Sequence, residues 1–215
     1  MDDPADSIVE LEANLRDIER ANRLFGGVTP IARVLEATGA IEILDVGCGA
    51  ADIPRALLVR AQRHGRTLAI TCLDRSEQML AIARRLDGEG NFRFVRGEGD
   101  ALPFADGAFD VAMCSLTLHH VEGSAAVGFL RELRRVSRIT PIVCDLRRSP
   151  LAYAATWTQV HVFSRNRLTR HDAPASVLRA YTPAEAVGLA REAGWRAPSV
   201  RVEPWFRMTL VDEAR

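Results

Sequence analysis

Residues 43–52 have the sequence Ile-Leu-Asp-Val-Gly-Cys-Gly-Ala-Ala-Asp, in which an apolar run of strand length passes directly into a glycine turn. A helical stretch over residues 53–64 follows and ends before Gly65. Gly47 and Gly49 permit a tight turn and let the backbone approach a ligand closely. Because open α/β sheets bind ligands at the carboxyl ends of their strands, this turn is a candidate binding site.

The next predicted strand ends in an acid, Asp74, at a place where a carboxylate can accept hydrogen bonds from both hydroxyls of a ribose. The dinucleotide-binding fingerprint requires a third glycine at position 52, where this chain has Asp52. A carboxylate there would face a pyrophosphate unfavourably. The pattern therefore favours a ligand with a ribose and without phosphate.

Short apolar runs alternate with helical stretches, which is typical of a parallel sheet covered by helices. A final pair of runs, at residues 200–202 and 205–211, predicts an antiparallel hairpin. The sequence thus predicts an α/β fold, Rossmann-like and doubly wound, with a mainly parallel seven-stranded sheet. The five preceding strands are predicted at residues 41–46, 68–73, 92–95, 109–114 and 139–144.

The segments around this core are predicted to be helical. Leu11, Leu15 and Ile18 repeat on one face of a helix over residues 5–23, and Thr29 is the expected N-cap of a second helix. Residues 147–181 form a helical insert after the fifth strand, and Thr182 begins a capping box. We expect one domain, divided into N-terminal helices (1–40), core (41–146), insert or lid (147–181), and C-terminal helix with strand pair (182–215).

All 28 basic residues are arginine, which excludes chemistry that needs a lysine amine, such as Schiff-base catalysis or a P-loop. The 28 acids balance them, so no global field attracts nucleic acid or an anionic membrane. No stretch approaches the roughly 18 apolar residues of a membrane span, and we expect a cytoplasmic protein. Neither a metal site nor disulfides are indicated by the four separated cysteines, Cys48, Cys72, Cys114 and Cys144.

Four ordered motifs resemble those of the class I S-adenosylmethionine-dependent methyltransferases, in the small-molecule subgroup similar to the quinone C-methyltransferases. One departure is Ala51, where that family usually has glycine. The matching segments are residues 44–51 (Leu-Asp-Val-Gly-Cys-Gly-Ala-Ala), 73–79 (Leu-Asp-Arg-Ser-Glu-Gln-Met), 99–104 (Gly-Asp-Ala-Leu-Pro-Phe) and 109–120 (Phe-Asp-Val-Ala-Met-Cys-Ser-Leu-Thr-Leu-His-His).

The resemblance implies a cofactor, S-adenosyl-L-methionine, and a role for each motif residue. Asp45 and the turn of Gly47, Cys48 and Gly49 would hold its methionine end, and Asp74 would bind the ribose. The remaining contacts implied are Arg75 and Met79 flanking the adenine, Asp100 with Ala101 facing it, and Ser115 lining the gap to the acceptor.

The resemblance also implies methyl transfer to a small molecule, at oxygen or carbon, with a phenolic, polyketide or quinone-like acceptor. A histidine is the natural base for a phenol. The candidates are His119 and His120 after the fourth strand, and His171 in the insert, where Tyr153 and Trp157 could pack against a ring.

The sequence leaves one alternative function open and argues against two others. A non-catalytic S-adenosylmethionine-binding module of the same fold stays open, because the sequence indicates the pocket better than turnover. A short-chain reductase lacks its Tyr-x-x-x-Lys pair, and the Asn/Asp-Pro-Pro-Tyr motif of nucleic-acid and amine methyltransferases is absent. The expected partner is a small-molecule substrate, with no nucleic acid, for a monomer or homodimer.

Overall fold

The computed structural model describes residues 8–88, 90–164 and 166–213. It confirms the predicted seven-stranded sheet, whose strand order is β3-β2-β1-β4-β5-β7-β6. The first five strands are parallel, and β7 runs antiparallel to both β5 and β6. The strands are β1 (Glu42–Val46), β2 (Ala69–Asp74), β3 (Phe92–Arg96), β4 (Val111–Ser115), β5 (Ile142–Leu146), β6 (Pro198–Glu203) and β7 (Arg207–Asp212).

Several helices begin where the sequence supplies capping side chains. Ser76 accepts a hydrogen bond from the Met79 amide, and Thr182 forms the predicted capping box with Glu185. The helices are α1 (Ile8–Leu24), α2 (Thr29–Thr38), α3 (Asp52–Arg63), α4 (Glu77–Asp87), α5 (Gly123–Val136), α6 (Pro150–Phe163), α7 (Arg167–Arg179) and α8 (Pro183–Glu192).

One local prediction needs correction. Thr29 is already helical, Pro30 is the second residue of α2, and Val28 occupies the N-cap position without a side-chain cap. The predicted helical insert consists of two helices: α6 ends at Phe163, and α7 begins after Asn166, whose side chain caps it. Residues 5–7 of the predicted first helix lie outside the described residues.

Alternate residues of each strand point to opposite faces of the sheet, and each face is covered by helices. Leu44 packs with α5 and α8, whereas its neighbour Ile43 packs with α2 and α3. The four cysteines are free and buried. No helix in the described part of the chain is long and apolar enough to cross a membrane. This arrangement leaves the carboxyl edge of the parallel strands for a site.

Candidate active site

A cavity of about 1390 Å³ lies at the carboxyl ends of β1, β2, β4 and β5. The strand-end residues Asp45, Asp74 and Ser115 line it, with α1, α6 and α7 over them. Ligand pockets commonly have volumes of about 300–1,000 Å³. The cavity therefore has room for two small molecules side by side.

The glycine turn forms one wall of the cavity. Gly47 and Gly49 have φ angles of +76° and +52°, and Ala51 is also left-handed at +57°. The Gly47 and Cys48 amides donate hydrogen bonds to the Leu73 carbonyl at 2.8 and 3.1 Å, which ties the turn to β2. A Cβ on Gly47 would lie 2.6 Å from the Thr117 methyl, so no side chain fits there.

Two carboxylates stand beside this turn. Asp74 accepts hydrogen bonds from the Gly49 and Ser76 amides, both at 2.9 Å, and each of its oxygens keeps a lone pair for a ligand hydroxyl. Asp45 is 2% exposed, and its Oδ1 has no hydrogen-bond partner among the described residues. Burial, followed by the charges of Asp52 and Asp74, raises the pKa of Asp45 well above its usual value.

This set of groups fits an S-adenosyl ligand. Asp74 offers hydrogen-bond acceptors for a ribose, and the glycine turn leaves space for a ligand to approach the backbone closely. Asp45 is a buried acid whose own Oδ1 has no hydrogen-bond partner among the described residues. The predicted contacts Arg75, Met79 and Asp100 also line the cavity. Ala101 does not: it is exposed and lies outside the cavity wall.

Helix α1 covers the cavity and is held by a polar bridge that the sequence did not predict. The Asn22 side chain donates to Asp52 Oδ2 and accepts from Arg207 Nη2, both at 2.7 Å. Asp52 follows the glycine turn, and Arg207 begins β7. Burial raises the pKa of Asp52, which the hydrogen bond from Asn22 partly opposes. The bridge joins α1 to both sides of the cavity.

An aromatic group bounds the cavity near β7. The Phe25 and Trp205 rings meet edge to face with centroids 5.3 Å apart, and Phe206 lines the same wall. Trp205 and Phe206 have φ angles of +59° and +60°, which bulky residues adopt only under strain. The hairpin between β6 and β7 thus presents aromatic side chains to the cavity without glycine or asparagine, and no turn signal predicted this.

The two histidines after β4 also line the cavity. His119 is 3% exposed, and its Nδ1 lies 2.7 Å from Oδ1 of the buried Asp145 at the end of β5. The His119 amide donates to the other oxygen of Asp145 at 3.1 Å. Burial alone would raise the pKa of Asp145, but the charge and hydrogen bonds of His119 outweigh it and lower that pKa. The sequence analysis does not identify Asp145 as a candidate site residue, although this acid lies at the end of a buried strand, as Asp74 does.

His120 lies against His119, with ring centroids 4.1 Å apart. Partial burial, followed by the charges of His119 and Arg179, lowers the pKa of His120 to about 4. This ring is therefore neutral near pH 7, although it lies at the exposed rim of the cavity.

The structure does not bring His171 to the site. Its side chain is 83% exposed, lies 3.1 Å from Asp172, and is absent from the cavity wall because it projects from the outer side of α7. Tyr153 and Trp157 also lie outside the wall, on the exposed side of α6. The insert instead contributes mostly small or moderate side chains, such as Thr156 and Val160, together with the charged residues Asp172 and Arg179.

Comparison with known proteins gives a match to a methyltransferase domain family over residues 43–140. The ubiquinone/menaquinone biosynthesis C-methyltransferase UbiE of Rickettsia felis is 32% identical over 83 residues, which cover 37% of this chain and 34% of that protein. The malonyl-[acyl-carrier protein] O-methyltransferase of Erwinia pyrifoliae is 35% identical over 99 residues, or 46% of this chain and 34% of that protein. The chain thus matches about a third of the length of these relatives.

Among solved structures, a SAM-dependent methyltransferase from Aquifex aeolicus superposes with a TM-score of 0.65 at 20% identity, covering 94% of this chain and 96% of that one. This likeness shows the fold. Together with the match of residues 43–140 to a methyltransferase domain family, and with the similarity of this core to a quinone C-methyltransferase, the fold supports a class I S-adenosylmethionine-dependent methyltransferase.

Proposed function

We propose that the chain transfers a methyl group from S-adenosylmethionine to a small phenolic, polyketide or quinone-like acceptor, at oxygen or carbon. The observation that carries this proposal is that one cavity is lined both by the glycine turn with Asp74 and by His119, whose Nδ1 lies 2.7 Å from the buried Asp145. A ligand at the first position and an acceptor at the second would be neighbours. The aromatic wall of Phe25, Trp205 and Phe206 suits a ring-shaped acceptor.

Asp74 would hold the ribose, and Asp45 with the glycine turn would hold the methionine end. When bound, S-adenosylmethionine supplies an electrophilic methyl group on a sulfonium. Because in-line transfer from a sulfonium neutralises charge, the chain chiefly has to align the nucleophile and, for a phenol, remove its proton. A phenol with a pKa of about 10 is only about one part in a thousand ionised at pH 7.

His119 is the proposed base. In the neutral form of His119, Nδ1–H donates a hydrogen bond to the Asp145 carboxylate, a tautomer that we assign from the hydrogen-bond pattern, and Nε2 is then the nitrogen that can accept a proton. The lowered pKa of Asp145 keeps this carboxylate ionised. Asp145 thereby orients the ring and stabilises the imidazolium that forms when Nε2 takes a proton. His120 is a candidate second contact to the acceptor.

The test uses S-adenosylmethionine with a labelled methyl group and a panel of phenols, quinols and β-diketones. We expect His119→Gln to lower turnover by roughly 10²- to 10⁴-fold near neutral pH, with a smaller loss as the pH approaches the pKa of the acceptor. His171→Gln is the matched control and keeps turnover within about twofold, because its ring lies outside the cavity.

Equal loss for His119→Gln at every pH would assign the residue a structural role and contradict its role as base. Binding of S-adenosylhomocysteine without methylation of any tested acceptor class would favour the non-catalytic module.

A further inference from the structure

The roof of the cavity is polar on the acceptor side, near His119. Helix α7 packs against residues 118–120, the segment of the two histidines, so it covers this side. The polar side chains that α7 turns to the cavity recur at intervals of three and four positions, which places them along one face of the helix. They form a polar stripe of Thr169, Asp172, Ser176 and Arg179, each of which lines the cavity. In chain order the first three are partly buried, and the last is exposed at the rim.

Helix α6 packs against α7 and continues the polar roof. Thr156 and Gln159 lie about one turn apart and both line the cavity. The largest side chain of the same helix, Trp157, is 49% exposed and lies outside the cavity wall. Polar groups therefore face the cavity in a helix that turns its tryptophan to solvent.

Most polar groups of the roof are open to hydrogen bonds from a ligand. Asp172 is contacted only through Oδ1, which lies 3.1 Å from the exposed His171. Among the described residues, Thr156, Gln159, Ser176 and Arg179 have no side-chain hydrogen bond. A ligand that fills the cavity displaces water from these groups. It has to offer hydrogen bonds in return, because a polar group buried without a partner is costly.

We propose that the acceptor is a compact, polyoxygenated aromatic molecule without a hydrocarbon chain. Its ring packs on the aromatic wall, and its hydroxyl and carbonyl groups form hydrogen bonds with the polar stripe. Asp172 accepts from a hydroxyl, Arg179 donates to a carbonyl or phenolate oxygen, and Ser176 can do either. The inference rests on the proposed function and narrows its acceptor class.

An isoprenoid or acyl chain along the roof would cover the same polar groups without bonding to them. A site built to bind hydroxyl groups discriminates strongly against an analogue that lacks them, because its own polar groups are then left unpaired. The polar stripe should therefore select for hydroxyl groups and against a hydrocarbon chain.

The experiment measures binding by calorimetry to the full chain saturated with S-adenosylhomocysteine, so it needs no turnover. The probes are flavanone, its hydroxylated derivative naringenin, and naringenin with a prenyl chain. Coumarin and dihydroxycoumarin form a second, smaller pair. We expect naringenin to bind about tenfold more tightly than either flavanone or the prenylated compound, and dihydroxycoumarin more tightly than coumarin.

Variants of the polar stripe test which groups select the ligand. Asp172→Ala should weaken naringenin about tenfold and Ser176→Ala about fivefold, whereas flavanone should change less than about twofold. Thr158→Ala is the matched control: this hydroxyl of α6 donates to the Ala154 carbonyl outside the cavity wall, and its loss should leave every ligand unchanged. The affinity of each variant for S-adenosylhomocysteine should stay within about twofold, which checks the fold.

Three results would overturn the inference. The first is equal affinity for flavanone and naringenin, or no binding of either hydroxylated probe. The second is tighter binding of the prenylated compound than of naringenin. The third is an equal loss of flavanone and naringenin in the stripe variants, which would assign these residues a structural role.

Methyl transfer is measured separately with the labelled cofactor. Transfer only to acceptors with a hydrocarbon chain would contradict this inference and leave the proposed function intact. The expected order of binding without methylation of any acceptor would support selection by the polar stripe and contradict the proposed function.

Discussion

At the scale of single residues, Asp74 has two tasks: its oxygens hold the Gly49 and Ser76 amides, and their remaining lone pairs face the cavity. We expect Asp74→Ala to weaken binding of S-adenosylhomocysteine by about 2 to 4 kcal/mol, because charge-assisted hydrogen bonds to the ribose are lost. Calorimetry measures this change. The ligand 5′-methylthioadenosine keeps the ribose and lacks the amino acid, so Asp74→Ala should weaken its binding by the same amount.

Asp45→Asn is the complementary variant, which should weaken S-adenosylhomocysteine and leave 5′-methylthioadenosine nearly unchanged. Unaltered affinity of both ligands for Asp74→Ala would place the ribose elsewhere in the cavity.

Asp45 should also give the ligand-free protein a pH-dependent cost in stability. Burial raises the pKa of Asp45 in the folded protein. The cost is therefore absent below the pKa of the unfolded state, about 3.9, and grows as the pH rises from there through the pKa of the folded state. We expect the free energy of unfolding of Asp45→Asn, relative to that of the native chain, to rise as the pH increases from about 4.

Denaturant unfolding at several pH values measures this difference. If the free energies of unfolding of Asp45→Asn and of the native chain differed by the same amount at every pH, the pKa of Asp45 would not be raised by folding.

At the scale of elements, the β1–α3 turn depends on glycine for two separable reasons. Gly47→Ala and Gly49→Ala both place an alanine at positive φ, at a cost of about 1–2 kcal/mol. Only the Gly47 variant also meets Thr117, at 2.6 Å, whereas a Cβ on Gly49 has no atom within 4 Å. We therefore expect Gly47→Ala to lose about 1–3 kcal/mol more stability than Gly49→Ala in denaturant unfolding.

Thr117→Ala removes both side-chain atoms that the new Cβ would approach most closely. In the Gly47→Ala background it should restore most of the difference between the two glycine variants. An equal loss in both single variants, or no rescue, would show that the steric contact with Thr117 does not matter.

At the scale of the whole molecule, ligand binding should stabilise the fold, because the cavity is formed by elements that are distant in the chain. At a concentration of 100 times Kd, S-adenosylhomocysteine adds about 2.7 kcal/mol, which raises Tm by about 5 to 11 °C for a chain of this length. NAD should give no comparable shift, since Asp52 replaces the third glycine of the dinucleotide fingerprint. Differential scanning fluorimetry checks both ligands, and a larger shift with NAD would contradict the cofactor assignment.

The sequence by itself determined the sheet, the glycine turn and the cofactor-side residues. These features follow from local pattern: an apolar strand, glycines at positive φ, and an acid at the end of the next strand depend on neighbours in the chain. Asp45, Gly47, Gly49 and Asp74 accordingly line one cavity in the fold. Ala101 lies outside the cavity wall, because a motif fixes the path of a loop better than the direction of each side chain.

Only the tertiary structure decided the acceptor side. Asp145 meets His119 across 26 positions, and Arg207 meets Asn22 across 185, so no local pattern could indicate either contact. The sequence pattern of α7 does not distinguish its outer face from its inner face. In the fold, His171 lies on the outer face and is exposed to solvent. Distant contacts and the orientation of helices are set by packing, which a residue's neighbours in the chain do not specify.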